Sequence, residues 1–226
     1  MTILFLIRHA SNDFVKEGKL AGWLPDVHIN DEGHQQAEQM AVKMSQVKLD
    51  AIYSSPLERA IETAEYLARP RGLQVQPRTG LGELRIGAWE DRKIEELNQT
   101  DEWRIYHIYP SGARPPHGET ARELQMRAVD EVEAICAAHP EGTVAIVSHA
   151  DTIAAVVAHY AGIHLDLFQR LSVSPASVTV LWIGPWGPRL LRFNDAGPLD
   201  GIQPPHPPVH KPDDPGKEAK NAVSGV

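Results

Sequence analysis

The chain has 226 residues, 42% hydrophobic and 23% charged, with a net charge of −8 and one cysteine, the balance of a globular protein with one substantial core. An acidic chain gives no support to a nucleic-acid-coating or membrane-surface role, so neither partner is expected; Cys136 alone excludes an intramolecular disulfide and fits a reducing compartment. No segment approaches the ~20 apolar residues of a membrane span, and the first apolar run is too short for a signal sequence, so the expected location is cytoplasmic.

Ile3 to Ile7 is a continuous apolar run, the mark of a strand covered on both faces as in parallel sheets. It stops at Arg8 and His9. Ligands bind open α/β sheets at the carboxyl ends of strands, so this cation and imidazole are a candidate site. Taken alone, an ion pair and a polar strand end explain them as well. Gly18 to Pro25 is a turn-rich loop carrying Gly22-Trp23. Asn30 stands as an N-cap before a helical stripe of Ala37, Met40, Ala41 and Met44.

Ala51-Ile52-Tyr53 reads as a short strand. Ser54-Ser55-Pro56 predicts a cap with proline at the first helical position. Leu57, Ala60, Ile61, Ala64, Leu67 and Ala68 supply the apolar face that follows. Arg59 falls off that face in the first turn, where a cation opposes the helix dipole. It offers little packing there, which points to a functional reason for it. Gln74 to Gln76 is a third candidate strand. Gly80 to Asp91 has no clean period and contains Glu83, Trp89 and Glu90, the tryptophan read as a core anchor and Glu90 as a solvated charge.

Short helices are expected over Asp91 to Gln99 and Asp101 to Ile108. Thr120 and Glu123 have capping-box spacing and open a helix to about Ala138, with Leu124, Ala128, Val132 and Ile135 inward and Cys136 on the same apolar face. Val144 to Val147 is a second buried strand, ending in Ser148-His149-Ala150-Asp151. Ile153, Val156, Val157 and Tyr160 then fall at helical spacing, with Asp151 read as the cap. The chain thus twice delivers a histidine to the end of a buried strand. Strands of such units lie side by side, so both histidines face one pocket. Ser177 to Ile183 and Arg189 to Phe193 predict a hairpin. Seven prolines lie between Pro198 and Pro215, so residues 1–194 read as one domain and 195–226 as a disordered tail, its His206 and His210 solvated.

Arg8, His9, Arg59, Glu83 and His149 are the polar groups at element ends. Two arginines suit a tetrahedral anion, because each presents a rigid fork of donors. A neutral imidazole can attack phosphorus, and a carboxylic acid can protonate the departing oxygen. A metal site is the weaker reading: arginines among the ligands repel a cation, and no short H-x-x-E or H-x-x-x-H spacing marks the site.

These stretches resemble the histidine phosphatase, or phosphoglycerate mutase-like, superfamily. Leu6-Ile7-Arg8-His9-Ala10 stands where that family has a strand ending in Arg-His-Gly. Ser54-Ser55-Pro56-Leu57-Glu58-Arg59-Ala60-Ile61-Glu62-Thr63-Ala64 matches its Ser-Ser-Pro-x-x-Arg-Ala-x-x-Thr-Ala motif. Glu83 through Glu90 matches Glu-x-x-x-Gly-x-Trp-Glu, Ser148-His149-Ala150 matches Ser-His-Gly, and Gly22-Trp23 with Ile29 through Ala37 fits a further loop and helix start. Gly118-Glu119-Thr120 matches the family's Gly-Glu-(Ser/Thr) at the start of a late helix; its capping geometry gives that motif a structural reason, and Glu119 is assigned no catalytic role.

The resemblance implies an α/β fold, a mostly parallel central sheet flanked by helices on both faces, with the hairpin at its C-terminal end. It implies a phosphatase acting on a small phosphorylated metabolite through a phosphohistidine, with no metal and no cofactor; a phosphomutase and a non-catalytic phospho-ligand binder are the alternatives. By resemblance His9 is the nucleophile, Arg8, Arg59 and His149 hold the phosphoryl group, Ser11 and Asn12 lie beside it, and Glu83 is the acid. Asp151 is the rival acid, since some acid-phosphatase branches place theirs just after the second histidine. The chain departs from the pattern at Ala10 and Ala150, where glycine is usual, and at Val15, where many members carry asparagine.

Overall fold

Thr2–Arg8 forms strand β1 in the computed structural model, which describes residues 1–196. Asn12 caps the short helix α1, Asp13–Glu17, by accepting the Val15 N–H, and Gly18 ends it at φ 65°, a left-handed conformation that glycine adopts without a Cβ clash. Asn30 caps α2, Asp31–Lys43, by accepting the Gly33 N–H, as its position in the sequence predicts. Strand β2, Ala51–Ser54, leads into α3, Glu58–Ala68. The cap of α3 is Leu57 rather than a serine, so Pro56 precedes the helix instead of opening it. Ser55 is occupied elsewhere: it continues the line of β2 into the site.

Val75–Pro77 is β3. The helix expected over 91–99 shortens to a single turn, α4, Ile94–Leu97, because residues up to Lys93 bond back to the Gly18–Leu20 segment. Helix α5 spans Asp101–Ile108, and α6 spans Ala121–Ala138 behind a complete Thr120–Glu123 capping box. Strand β4, Thr143–Ser148, feeds α7, Ala150–Ala161. The stripe predicted for α7 is wider than expected. Every residue from Thr152 to Ala158 is buried, because the helix is wedged between the sheet, α6 and the Leu165–Arg170 turn; a helix apolar all round is a buried one. The hairpin is β5, Val178–Gly184, and β6, Gly187–Asp195.

The six strands run in the order β3-β2-β4-β1-β5-β6. The first four are mutually parallel, and the hairpin adds two antiparallel strands beyond β1. Alternation along each strand sends side chains to opposite faces. Leu4, Leu6, Val144 and Ile146 pack with α6 and α7, while Ile7, Ile52, Ala145 and Val147 pack with α2 and α3. The fold is therefore α/β with helices on both faces. Strand β6 runs one residue past the boundary read at residue 194. The proline cluster, His206 and His210 lie outside the described residues. Among the described residues, no helix is long and apolar enough to cross a membrane.

Candidate active site

Strands β1, β4 and β2 end together. Arg8 is in register with Ser148, the His9 N–H donates to the Ser148 carbonyl at 2.8 Å, and the Ser55 N–H donates to the Val147 carbonyl at 2.8 Å. The next residue on each strand is functional in type: His9, His149 and Ser55. The two imidazoles lie with ring centroids 5.1 Å apart, tilted by 59°, and His149 Nε2 sits 2.7 Å from Ser55 Oγ.

His9 Nδ1 lies 2.8 Å from the Ala10 carbonyl. A carbonyl only accepts, so Nδ1 carries the proton and Nε2 keeps its lone pair. Burial, then the guanidiniums of Arg8 and Arg59, hold this imidazole neutral, well below the usual histidine range. The same influences, with burial again largest, keep His149 neutral. Thr63 Oγ1 accepts the Ala10 N–H at 3.0 Å and donates to the Arg59 carbonyl at 2.7 Å, pinning the histidine turn to α3. Ala10 is fully buried, and neither Ala10 nor Ala150 has a positive φ. The backbone therefore accepts alanine after each histidine without strain.

Arg8 donates through Nη1 to the Val173 carbonyl at 2.6 Å. Arg59 is only 1% exposed, which corrects the expectation that it packs little. The Gly18–Pro25 loop folds over the first turn of α3, and Arg59 Nη2 donates to the Gly22 carbonyl at 2.8 Å. Glu90 holds that loop by accepting the Trp23 N–H at 2.9 Å, so it is a tether and not merely a solvated charge. Trp89 is buried as expected, edge-on to Trp103 and Tyr106. Ser11 and Asn12 are both buried; the Ser11 N–H donates to Gln36 Oε1 at 2.9 Å, and Asn12 uses its oxygen for the α1 cap.

One pattern unites these side chains. Arg8 Nε, Arg59 Nε and Nη1, Asn12 Nδ2 and His149 Nδ1 are buried and have no hydrogen-bond partner among the described residues. Unpaired buried donors are costly. Four of these atoms, from Arg8, Arg59 and Asn12, are N–H donors and the fifth is an imidazole nitrogen; gathered beside the same strand ends, they suit an anion with several acceptor oxygens.

Glu83 faces the histidines. Its Oε2 is 3.9 Å from His149 Nδ1, a contact and not an ion pair because the imidazole is neutral. Its Oε1 accepts the Leu84 N–H at 2.8 Å and lies 3.5 Å from Thr152 Oγ1. Burial, reinforced by the negative charge of Asp151, pushes the Glu83 carboxyl up to about 7 against the Leu84 N–H, Arg59 and Arg8. Asp151 does not cap α7. His149 occupies the cap position, and Asp151 sits in the first turn, its own carboxyl raised by burial. Among the described residues, no group of three or more His, Cys, Asp or Glu is placed to hold a metal ion.

Ser55, Thr63 and Arg127 support the site without having been read from the sequence as site residues. Ser55 and Thr63 lie inside the motif that carries Arg59, and that was their only signal.

The family model of the Histidine phosphatase superfamily (branch 1) matches residues 4–196. The chain belongs to the histidine phosphatase superfamily. Its enzyme class is that of histidine phosphatases, in which phosphatases and mutases share one fold. Phosphoserine phosphatase 1 of Hydrogenobacter thermophilus is 29% identical over 183 residues, 80% of this chain and 86% of the relative. A 2,3-bisphosphoglycerate-dependent phosphoglycerate mutase of Thermoplasma acidophilum is 29% identical over 181 residues, 80% and 87% of the two chains. Among solved structures, a phosphoserine phosphatase mutant from Entamoeba histolytica in complex with phosphoserine superposes with a TM-score of 0.80. It has 25% identity and covers 87% of this chain and 98% of that one. The matched residues run from within β1 to the end of β6 and include both histidine turns.

Proposed function

We propose that this histidine phosphatase hydrolyses a small phosphorylated metabolite, without a metal ion, through a phosphohistidine on His9. The observation that carries the reading is the bare Nε2 of a neutral His9 among four buried, unpaired N–H groups of Arg8, Arg59 and Asn12 and the unpaired Nδ1 of His149. Catalysis of phosphoryl transfer is mostly positioning and charge stabilisation, and these groups supply both. Arg8, Arg59, Asn12 and His149 bind the phosphoryl oxygens, with Ser11 holding the turn beside them. Ser55 donates its proton to His149 Nε2, which leaves His149 Nδ1–H free for the phosphate.

The Nε2 lone pair attacks phosphorus as the ester P–O bond breaks. The departing oxygen takes the proton of Glu83, an acid poised at about 7 as general acids at neutral pH require. Water then attacks the phosphoryl group and gives a proton to the Glu83 carboxylate as the P–N bond breaks, releasing phosphate. A mutase would return the phosphoryl group to a second hydroxyl of the bound product instead.

The test is phosphate release from a panel of small phosphomonoesters with EDTA present, together with acid quenching to trap acid-labile phosphoprotein. His9→Ala is expected to abolish both signals while circular dichroism is unchanged. Turnover surviving in His9→Ala overturns the mechanism, and a relocated phosphoryl group without phosphate release makes the protein a mutase.

A further inference from the structure

The acid at position 83 stands on an irregular segment, which on its own would not hold a carboxyl in place. Its backbone carbonyls have no ladder to bond to, and buried carbonyls need donors. Thr152 and Trp23 donate to the Gly82 and Glu83 carbonyls, and one further side chain, outside every motif that marks the site, bonds three carbonyls of the segment at once. Arg127, on α6, donates through Nη1 to the Gly80 and Gly82 carbonyls at 2.8 and 2.9 Å, and through Nη2 to the Glu83 carbonyl at 2.7 Å. Its remaining donors go to Glu119, Nε to Oε2 at 3.1 Å and Nη2 to Oε1 at 2.5 Å. A guanidinium has five N–H donors, and all five are used. Glu119 Oε1 also accepts the Arg85 N–H at 3.0 Å, so the backbone is gripped on both sides of residue 83.

We propose that Arg127, locked by Glu119, is a positioning residue that fixes the backbone of Glu83 so that its carboxyl meets the leaving group. Arg127 makes no hydrogen bond to that carboxyl and acts through the segment that bears it. The inference rests on Glu83 being the acid. The pair is largely buried, its side chains 22% and 11% exposed; the specificity lies in three carbonyls of one short segment converging on one planar fork, a pattern that lysine, a point charge with three donors, cannot reproduce. A misplacement near 1 Å costs on the order of a hundredfold in rate, and a misplaced acid costs it only where the leaving group needs a proton.

The experiment compares an alkyl phosphate with p-nitrophenyl phosphate in Glu83→Gln, Arg127→Lys, Glu119→Ala and the double variant Glu83→Gln/Arg127→Lys. Arg127→Lys keeps the stem and the charge; Glu119→Ala leaves Arg127 in place and removes what locks it, so either variant alone decides the matter if the other does not fold. Each is expected to lose roughly thirtyfold or more on the alkyl ester and less than about threefold on the aryl ester, with the double variant no more leaving-group dependent than Glu83→Gln. If Glu83→Gln shows the dependence and the two clamp variants slow both esters equally, the positioning role is overturned and the clamp is structural only. If Glu83→Gln itself shows no dependence, the acid assignment fails, and the role of Arg127 fails with it.

Discussion

The Gly22 carbonyl accepts a hydrogen bond from Arg59 Nη2 at 2.8 Å, joining the loop before α2 to the first turn of α3 and leaving Nε and Nη1 of the same guanidinium unpaired. One edge of the arginine is structural and the rest of it is uncommitted. A buried cation with unsatisfied donors is a cost in stability that binding an anion repays.

Arg59→Met is therefore expected to lose on the order of a hundredfold to a thousandfold in rate, the effect of removing a donor to developing charge, with melting temperature unchanged or raised. Arg59→Ala loses the same activity but melts lower, because it empties a fully enclosed volume. Inorganic phosphate should raise the melting temperature of the wild type and not of Arg59→Met. If Arg59→Met melts far below the wild type while keeping its rate, the arginine is structural.

In the proposed role Glu83 serves as an acid only while protonated, so the rate on an alkyl phosphate should fall as pH rises through about 7. The limb should vanish in Glu83→Gln and be weak with p-nitrophenyl phosphate. Stability follows the same sign. The folded-state value lies above the ordinary 4.5, so the folded chain binds the proton more tightly. That contribution is complete below about pH 4.5 and is lost as pH rises to about 7. Urea denaturation across this window should show Glu83→Gln losing the slope that the wild type has.

The charge of Asp151 is one of the influences raising the Glu83 carboxyl. Asp151→Asn removes it, and the alkaline limb should move to lower pH with the leaving-group dependence unchanged. A limb that stays where it was, joined by a new leaving-group dependence, would make Asp151 the acid.

A Cβ at Gly82 would lie 2.2 Å from Cζ2 of Trp23, and the Trp23 Nε1–H donates to the Glu83 carbonyl. Gly82→Ala must displace the indole and disturb both loops. Tryptophan fluorescence should shift, melting temperature should fall, and activity should drop on the order of a hundredfold. Wild-type activity with a shifted spectrum would show that the Trp23 contact is dispensable for catalysis.

The sheet, its parallel half and most of its helices were legible because apolar runs and 3.6-residue stripes report burial against a neighbouring layer. His9 and His149 were legible as a pair because each follows such a run. Arg59 was legible as misplaced but not as buried: a stripe describes the face a helix turns to the core, and what covers Arg59 is a loop 37 residues earlier. Arg127 gave no signal, since its partners lie 44 to 47 residues away and one arginine on an exposed-looking helix face is unremarkable. Asp151 was misread because caps are assigned by residue type, whereas the cap position of α7 is taken by the histidine itself.

Strand β1 lies between β4 and β5, and Ile3 pairs with Thr143. Of the six strands of the sheet β1 leaves the ribosome first, yet it is flanked only by strands made after residue 142 and remains without sheet neighbours while most of these residues are synthesised. His9 can meet His149 only once that late pairing is made, so catalytic activity should be among the last properties the growing chain acquires. Pairings of such sequence separation form slowly, and an apolar strand kept waiting is prone to aggregate. Chains arrested before residue 143 should bind chaperones through residues 3–7, and chains arrested after residue 184 should not.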